Sequence, residues 1–460
     1  LFKKSGGSRL DCSKSTFLDP ACGAGHLMIP ALNRLIGAAS LGQNDCRNRL
    51  VKVLKEQLFG FDLDPHMVRL TGFSLYLHCR DLAGVTPLPI PQIYSFDAPA
   101  DFNFGSLSLG VDPDQQAHRL VDPRGAKKSA RDLPLRFDFI AANPPYLSHR
   151  LMPKALGAYL KKFYPGCHFD LYAAFLELSM RLLNNNGCAS LICQQSFLSI
   201  NRYESLRRRI LKDCSLKTVI QLGPGSFAAR GGEKVNNAII TFRKHCQKQS
   251  SPVRTLKLLA TKEKERARES GIDNLRFESI ESERIKKLAE SIPGYPISCF
   301  CPDEIARLFD KYQALESKDS GVVLTNGLFT CNNRLFVKRF FEIEKQDESI
   351  YVPYDKGGGR KWFANTPYRL AWQNDGEEIR AYRKSRGQSE SLPGESYYFK
   401  QGLTYSYIGT RGFTARLLAP GSVFDIASSA LFTSRIDLNY LLGWLNSKLI
   451  RFVLGVLNPT

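Results

Sequence analysis

A 460-residue chain is longer than one hydrophobic core usually fills, and 43% hydrophobic with 23% charged residues is an ordinary globular mixture, so disorder is excluded and two domains are expected. Lys and Arg number 64 against 44 Asp and Glu, a formal net charge of +20 that favours a polyanionic partner, nucleic acid first. A solvated basic face or an anionic membrane surface would give the same count, so charge alone names a class of partner and no more.

Twelve cysteines, at 12, 22, 46, 79, 167, 188, 193, 214, 246, 299, 301 and 331, form no C-x-x-C pair and have no histidine ladder beside them. That speaks against zinc and against a disulfide framework, and for buried thiols in a reducing cytoplasm. Cys299 and Cys301 lie closest together, but their spacing is not that of a structural zinc site. No apolar run approaches the roughly 18 residues a membrane helix needs and no signal segment opens the chain, so no membrane association is expected. The start at Leu1 and the stop at Thr460, just after an apolar helical stretch, read as two cut ends.

In chain order, strands are predicted at Thr16 to Leu18, Gln57 to Phe61, Gln92 to Phe96, Phe137 to Ala141, Ala189 to Cys193, Lys217 to Leu222 and Ala238 to Phe242. Helical periodicity lies between them, as at Leu171 to Leu183 and Tyr203 to Asp213. This alternation predicts an α/β domain built on a largely parallel sheet flanked by helices. Thr86 to Gln92 is Pro-rich, and the polar stretch Gly110 to Leu133 reads as an insertion loop. Charge-dense stretches at 244–251 and 263–270 mark a boundary, giving a first domain over 1–245, a linker over 246–295 and a second domain over 296–460. In the second, aromatic and basic residues interleave at 361–372, 380–384 and 396–413. That pattern suits nucleic-acid contact, and alternating aromatics suit a strand core equally well.

The first candidate site is FLDPACGAGH, Phe17 to His26, where a strand gives way to a helix. Asp19 at the strand end, followed by Pro20, Ala21, Cys22, Gly23 and Gly25, lets the backbone turn tightly against a ligand in the crevice at the carboxyl edge of the sheet. The third glycine of a dinucleotide fingerprint is missing, because His26 and Leu27 lead into Met28. Close approach to a pyrophosphate is therefore not provided, which favours a ligand lacking phosphates over NAD. At the second strand end Asp62 is placed to accept both hydroxyls of a ribose and Leu63 to pack on an adenine ring, while Asp64 reads as the N-cap of a helix starting at Pro65. Asp97 closes the third strand, either as an acceptor for the adenine amino group or as a turn aspartate bonding its own backbone.

At Phe137 to His149 an apolar strand runs into Asn143, Pro144, Pro145 and Tyr146. An aryl amine is a weak nucleophile because its lone pair is delocalised into the ring. Accepting both of its N–H groups, through the Asn143 side-chain carbonyl and the Pro144 backbone carbonyl, favours the developing sp3 nitrogen. Two prolines stiffen the loop and remove competing donors, and Tyr146 offers a face for a base that has left the duplex.

Residues Asp19 to Gly25 (DPACGAG) and Asn143 to Tyr146 (NPPY) resemble the cofactor and catalytic motifs of amino-group DNA methyltransferases, in the order of the gamma subclass. The similarity continues through Phe169 to Gly187 and Leu222 to Phe242, and then through Gly327 to Ile343, Trp372 to Arg380, Tyr397 to Ile408 and Leu441 to Thr460, which are similar to the large adenine methyltransferases of BREX-type phage-defence systems. The resemblance implies a Rossmann-like methyltransferase mixed sheet with helices on both faces, followed by a partial α+β target-recognition domain. It implies S-adenosyl-L-methionine as cofactor, double-stranded DNA as partner together with other phage-defence proteins, no metal, and Phe227 as a second aromatic against the flipped adenine. The family's motif before the first strand and an N-terminal helical region are missing, and the recognition domain stops partway. Two other readings stay open: a protein glutamine methyltransferase, whose substrate presents the same planar NH2, and a non-catalytic DNA-binding subunit of a defence complex. No D-x-n-E-x-K constellation for a nuclease is visible.

Overall fold

The computed structural model describes residues 14–37, 43–84, 87–98, 103–109, 111, 119–134, 136–225, 235–244, 251–271, 274–358, 360–405 and 413–457. The chain divides into two compact units, the first running to Phe300 and the second from Cys301 to Pro459.

The first unit contains β1 (Phe17–Asp19), α1 (Met28–Ile36), α2 (Gln43–Glu56), β2 (Leu58–Phe61), α3 (Pro65–Ala83), β3 (Gln92–Asp97), β4 (Arg119–Val121), β5 (Lys127–Ser129), β6 (Phe137–Ala142), α4 (Lys154–Phe163), α5 (Leu171–Leu182), β7 (Leu183–Gln194), α6 (Glu204–Asp213), β8 (Cys214–Gly223), β9 (Asn237–Lys244), β10 (Val253–Lys257), α7 (Thr261–Ser270), β11 (Glu278–Ile280) and α8 (Ser282–Ser291). One sheet joins its strands in the order β11-β10-β8-β9-β7-β6-β1-β2-β3-β4-β5. Strands β3, β2, β1, β6 and β7 run parallel, and β9 is inserted antiparallel between β7 and β8. The chain leaves β1 outward through β2 and β3, then returns to β6 on the other side of β1, which puts a switch point with its ligand crevice between β1 and β6.

Alternation along the strands sorts side chains to two faces. Leu18, Phe59, Tyr94, Phe96 and Ile140 join a core with α4, α5 and α6. Phe17, Leu58, Ile93, Phe139 and Ala141 join a separate core with α1, α2 and α3. The α/β reading, with a mixed sheet and helices on both faces, is therefore the architecture that forms. Asp64 accepts from His66 N at 2.8 Å and caps α3, with Pro65 in its first turn, as the sequence predicts.

Two expectations are corrected. The stretch Gly110 to Leu133 is not simply a loop, because β4 and β5 form a hairpin that pairs antiparallel with β3 and extends the sheet. Residues 246–295 are not simply a linker: β10 pairs with β8, β11 pairs with β10, and Ile285, Leu288 and Ala289 of α8 are buried. The guanidinium of Arg207, fully buried on α6, donates to the carbonyls of Phe197, Ile200, Gly294 and Tyr295, which ties residues 294–295 into the first unit. The first unit thus runs to 300, past the 245 at which the sequence reading ends it, and the second begins at 301, close to the expected 296.

The second unit holds α9 (Asp303–Lys311), β12 (Val322–Thr325), α10 (Asn333–Phe336), β13 (Val337–Arg339), β14 (Tyr351–Asp355), β15 (Tyr368–Ala371), α11 (Glu377–Ser385), β16 (Gly402–Tyr405), β17 (Ala415–Leu418), β18 (Val423–Phe424), β19 (Ala430–Thr433), α12 (Leu438–Leu445) and α13 (Lys448–Leu457). Two four-stranded sheets, β12-β19-β16-β17 and β13-β15-β14-β18, make it the expected α+β unit. Among the described residues no helix is long and apolar enough to cross a membrane, no cysteine is in a disulfide, and no cluster of metal-ligating side chains occurs.

Candidate active site

The turn after β1 is built around two carboxylates. Asp19 is buried and its Oδ1 accepts from Ala21 N at 3.1 Å. Burial raises its pKa to about 7, the Ala21 N–H opposes that, and the negative charge of Asp62 adds to it. Asp62, at the end of β2, accepts from Gly23 N at 2.8 Å through one oxygen and from Asp64 N at 2.9 Å through the other. One side chain thus zips the loops after β1 and β2 together, and each oxygen keeps a second lone pair for another donor.

Gly23 (φ +50°) and Gly25 (φ +85°) lie in the left-handed region that other residues adopt at a cost, and a Cβ on Gly25 would meet Thr71 Cγ2 at 3.0 Å. The Thr71 hydroxyl donates to Gly23 O at 2.5 Å, so α3 fixes the turn from below. Cys22 is buried beside Asp19, and burial pushes its thiol up.

The catalytic candidate follows β6 directly. Asn143 and Pro145 are exposed, Pro144 is buried and Tyr146 is half-buried. The Tyr146 hydroxyl donates to Asn237 Oδ1 at 3.1 Å, and its ring meets Tyr172 edge-on at 5.8 Å. Burial pushes that phenol up. Beyond it, Leu147 N donates to Asp170 Oδ1 at 3.0 Å and Leu171 N to Leu147 O at 3.1 Å, so the start of α5 braces the loop.

A cavity of about 410 Å³ opens at the switch point, lined among others by Ala21, Asp62, Leu63, Phe104, Asn143 and Phe175. Of the residues singled out from the sequence, Pro20, Ala21, Asp62, Leu63, Asn143 and Pro145 line it. Asp19, Cys22, Gly23, Gly25, Pro144 and Tyr146 are not in its lining. Asp97 is not in the lining: its carboxylate pairs with Lys127 at 2.5 Å, an exposed ion pair that holds it below the usual aspartate range. Phe227 lies outside the described residues.

The sequence reading missed the wall formed by residues 103–107. Asn103 accepts from Gly105 N at 3.2 Å, the buried Ser106 hydroxyl donates to Pro20 O at 2.7 Å, and Phe104 stacks on Tyr159 at 4.0 Å. The available signal was an Asn two residues before a Gly, a turn pattern one strand beyond Asp62.

Residues 56–227 match the family model described as Eco57I restriction-modification methylase. The chain is 25% identical to adenine-specific methyltransferase PglX of Lacticaseibacillus casei, covering 98% of this chain and 44% of that protein. It is 26% identical to adenine-specific methyltransferase BrxX of Escherichia coli O9:H4, covering 96% of this chain and 42% of that protein. The chain therefore spans less than half the length of these relatives. The DNA-bound structure of the ATP-dependent Type ISP restriction-modification enzyme LlaBIII shares the fold, with a TM-score of 0.63 at 13% identity over 99% of this chain and 36% of that one. Over nearly its whole length the chain is thus similar to the PglX and BrxX adenine-specific methyltransferases, and its central segment carries the Eco57I methylase match.

Proposed function

We propose that this chain is the catalytic part, with some of the recognition part, of a site-specific DNA adenine N6-methyltransferase of a phage-defence or restriction-modification system. The observation that carries the reading is that Asn143, from the loop after β6, shares one cavity with Asp62, Leu63 and Ala21, from the loops after β1 and β2.

The cavity suits S-adenosyl-L-methionine. Its volume falls within the ~300–1,000 Å³ usual for small-molecule sites. Asp62 offers carboxylate oxygens to ribose hydroxyls, and Leu63, Phe104, Leu107 and Phe175 offer apolar walls to a purine. Among the described residues the lining has no Lys or Arg, which agrees with a ligand free of phosphates. The Asp62 carboxylate in the lining also suits a ligand that carries positive charge. When bound, the cofactor supplies an electrophilic methyl group.

The chain's own residues do the rest. Asn143 accepts one N–H of the adenine amino group, and the Pro144 carbonyl accepts the other. Both bonds strengthen as the nitrogen pyramidalises, so they lower the barrier more than they aid binding. Tyr146 presents a ring to the extruded base, held in place by Asn237 and Tyr172. Asp19 and the glycine turn shape the loop whose Ala21 forms the wall. The second unit, with its basic and aromatic stretches, contacts duplex DNA.

The test is methyl transfer from isotopically labelled cofactor to duplex DNA, with nucleoside mass spectrometry identifying N6-methyladenine. Asn143→Ala should abolish the product while leaving cofactor affinity within about three-fold, because its acceptor acts mainly in the transition state. Label on a glutamine side chain of a peptide, with none on DNA, would replace this reading.

A further inference from the structure

Trp362 is 52% exposed and the adjoining Phe363 is 61% exposed. The backbone at Trp362 has φ +69°, the left-handed region that a bulky residue enters only under constraint. A ring so exposed gains little from burial that would offset this strain, and glycine would satisfy the same backbone freely.

What holds the strained residue is rigid. Trp362 N donates to Ala415 O at 3.0 Å and Leu417 N donates to Trp362 O at 2.9 Å, so Trp362 is bridged to β17 on both backbone groups. Beneath it, the buried Arg416 binds Asp355 through Nη2 at 2.5 Å and Nε at 3.3 Å, and donates to Gly358 O at 2.6 Å. Ser428 adds a bond to Asp355 at 2.8 Å. Asn446 braces the other side, accepting from Ala415 N at 3.1 Å and taking the Lys361 ammonium on its carbonyl at 3.2 Å.

Charge indicates what the tip meets. Residues 356–374 contain Lys356, Arg360, Lys361 and Arg369 and no Asp or Glu. The nearest acid before them in the chain, Asp355, is buried and paired with Arg416. The exposed Phe340 and Phe341 lie instead in a stretch of mixed charge, with Lys338, Arg339 and Lys345 among Glu342, Glu344, Asp347 and Glu348. A preorganised, strained, aromatic and wholly basic tip matches a polyanion carrying flat apolar rings.

We propose that Trp362 and Phe363 form a stacking contact on the bases of duplex DNA, as an aromatic wedge at an opened base step, with the exposed Arg360 beside them on phosphate. The inference rests on the reading of the second unit as DNA-contacting and adds to it the residues that make the contact. It is tested with the whole chain and a fluorescein-labelled duplex by anisotropy. Trp362→Ala with Phe363→Ala should weaken binding about ten-fold or more. Trp362→Phe, which keeps a ring, should stay within about three-fold of the parent. Trp362→Gly should lose affinity without a fall in melting temperature, because it relieves the left-handed backbone; a residue with only a structural role would lose stability instead. Duplex should quench tryptophan emission in the parent, and Trp362→Phe, which keeps Trp372 and Trp444, should lose that quenching. Unchanged affinity in the double variant overturns the inference while leaving DNA binding by the chain intact. So does a change confined to self-association in sedimentation. A parent chain with no affinity for duplex removes both this inference and the broader reading.

Discussion

The phenol of Tyr146 donates to the side-chain carbonyl of Asn237 across 3.1 Å, and this one bond ties the loop after β6 to β9 two strands away. Asn237 is fully buried, and its own amide donates to Val235 O at 3.1 Å, so it cannot swing to follow the ring. Tyr146→Phe and Asn237→Ala should each slow methyl transfer by about five-fold, the worth of one intramolecular hydrogen bond. The double variant should be little worse than either single one, because both remove the same interaction. Fluorescence of a 2-aminopurine placed at the target adenine, reporting extrusion, should fall in parallel. Additive losses would show that the two side chains act separately.

Asp62 serves the loop backbone before it serves any ligand. Asp62→Ala strips acceptors from Gly23 N and Asp64 N, so it should lower stability by about 1–3 kcal/mol as well as weaken cofactor binding at least ten-fold. Calorimetry and urea titration measure the two effects. Full stability with lost affinity would mean that the backbone bonds contribute little and only the ligand contact matters.

Asp19 gives a pH dependence whose sign follows from its raised pKa. The folded value of about 7 lies above the ordinary 3.8, so the folded chain holds this proton more tightly than the unfolded one. The stabilisation is complete below about pH 4 and is lost as pH rises through about 7. Asp19→Asn keeps an oxygen for Ala21 N and cannot ionise. It should match the parent near pH 4 and exceed it by about 1–3 kcal/mol at pH 8. Parallel stability curves across that window for parent and variant, in the absence of cofactor, would refute the assignment.

Arg207 sets where the first unit can be cut. A chain ending at Phe300 retains the Gly294 and Tyr295 carbonyls that bind the guanidinium, together with the buried Ile297 and Cys299. It should unfold cooperatively. A chain ending at Glu290 leaves a buried cation short of two acceptors and should be about 3–5 kcal/mol less stable. Equal stability of the two by denaturant titration would mean that Arg207 finds other partners.

The parts of the site that were legible in the sequence are those where one residue does a local job. Asp64 beside Pro65 caps a helix whatever surrounds it, and the apolar run at 137–142 is enough to place Asn143 directly after a buried strand. The 103–107 wall was not legible, because Ser106 acts only by reaching Pro20, 86 positions away in the chain. The segment 246–295 was misread because charge density was taken for linker. Most of its charges lie on α7 and α8, on side chains largely outside the core, while the short strands β10 and β11 bring only a few apolar residues to it. Asp97 shows the same limit: its neighbours along the chain leave two roles open, and the ion pair with Lys127 comes from a hairpin 30 residues on.

The pairing of β1 with β6, Phe17 against Phe139 and Leu18 against Ile140, bears on how such a site can be inherited. The two loops are neighbours in space although more than a hundred residues separate them in the chain, and their spacing is set by backbone hydrogen bonds that take no account of which loop is synthesised first. A gene rearranged so that the Asn143 segment preceded the Asp19 segment would rebuild the same crevice, provided that each strand kept its register. Long insertions between β3 and β6 would likewise leave it untouched. Motif order is therefore a record of genetic history, and the geometry of the pocket is indifferent to it.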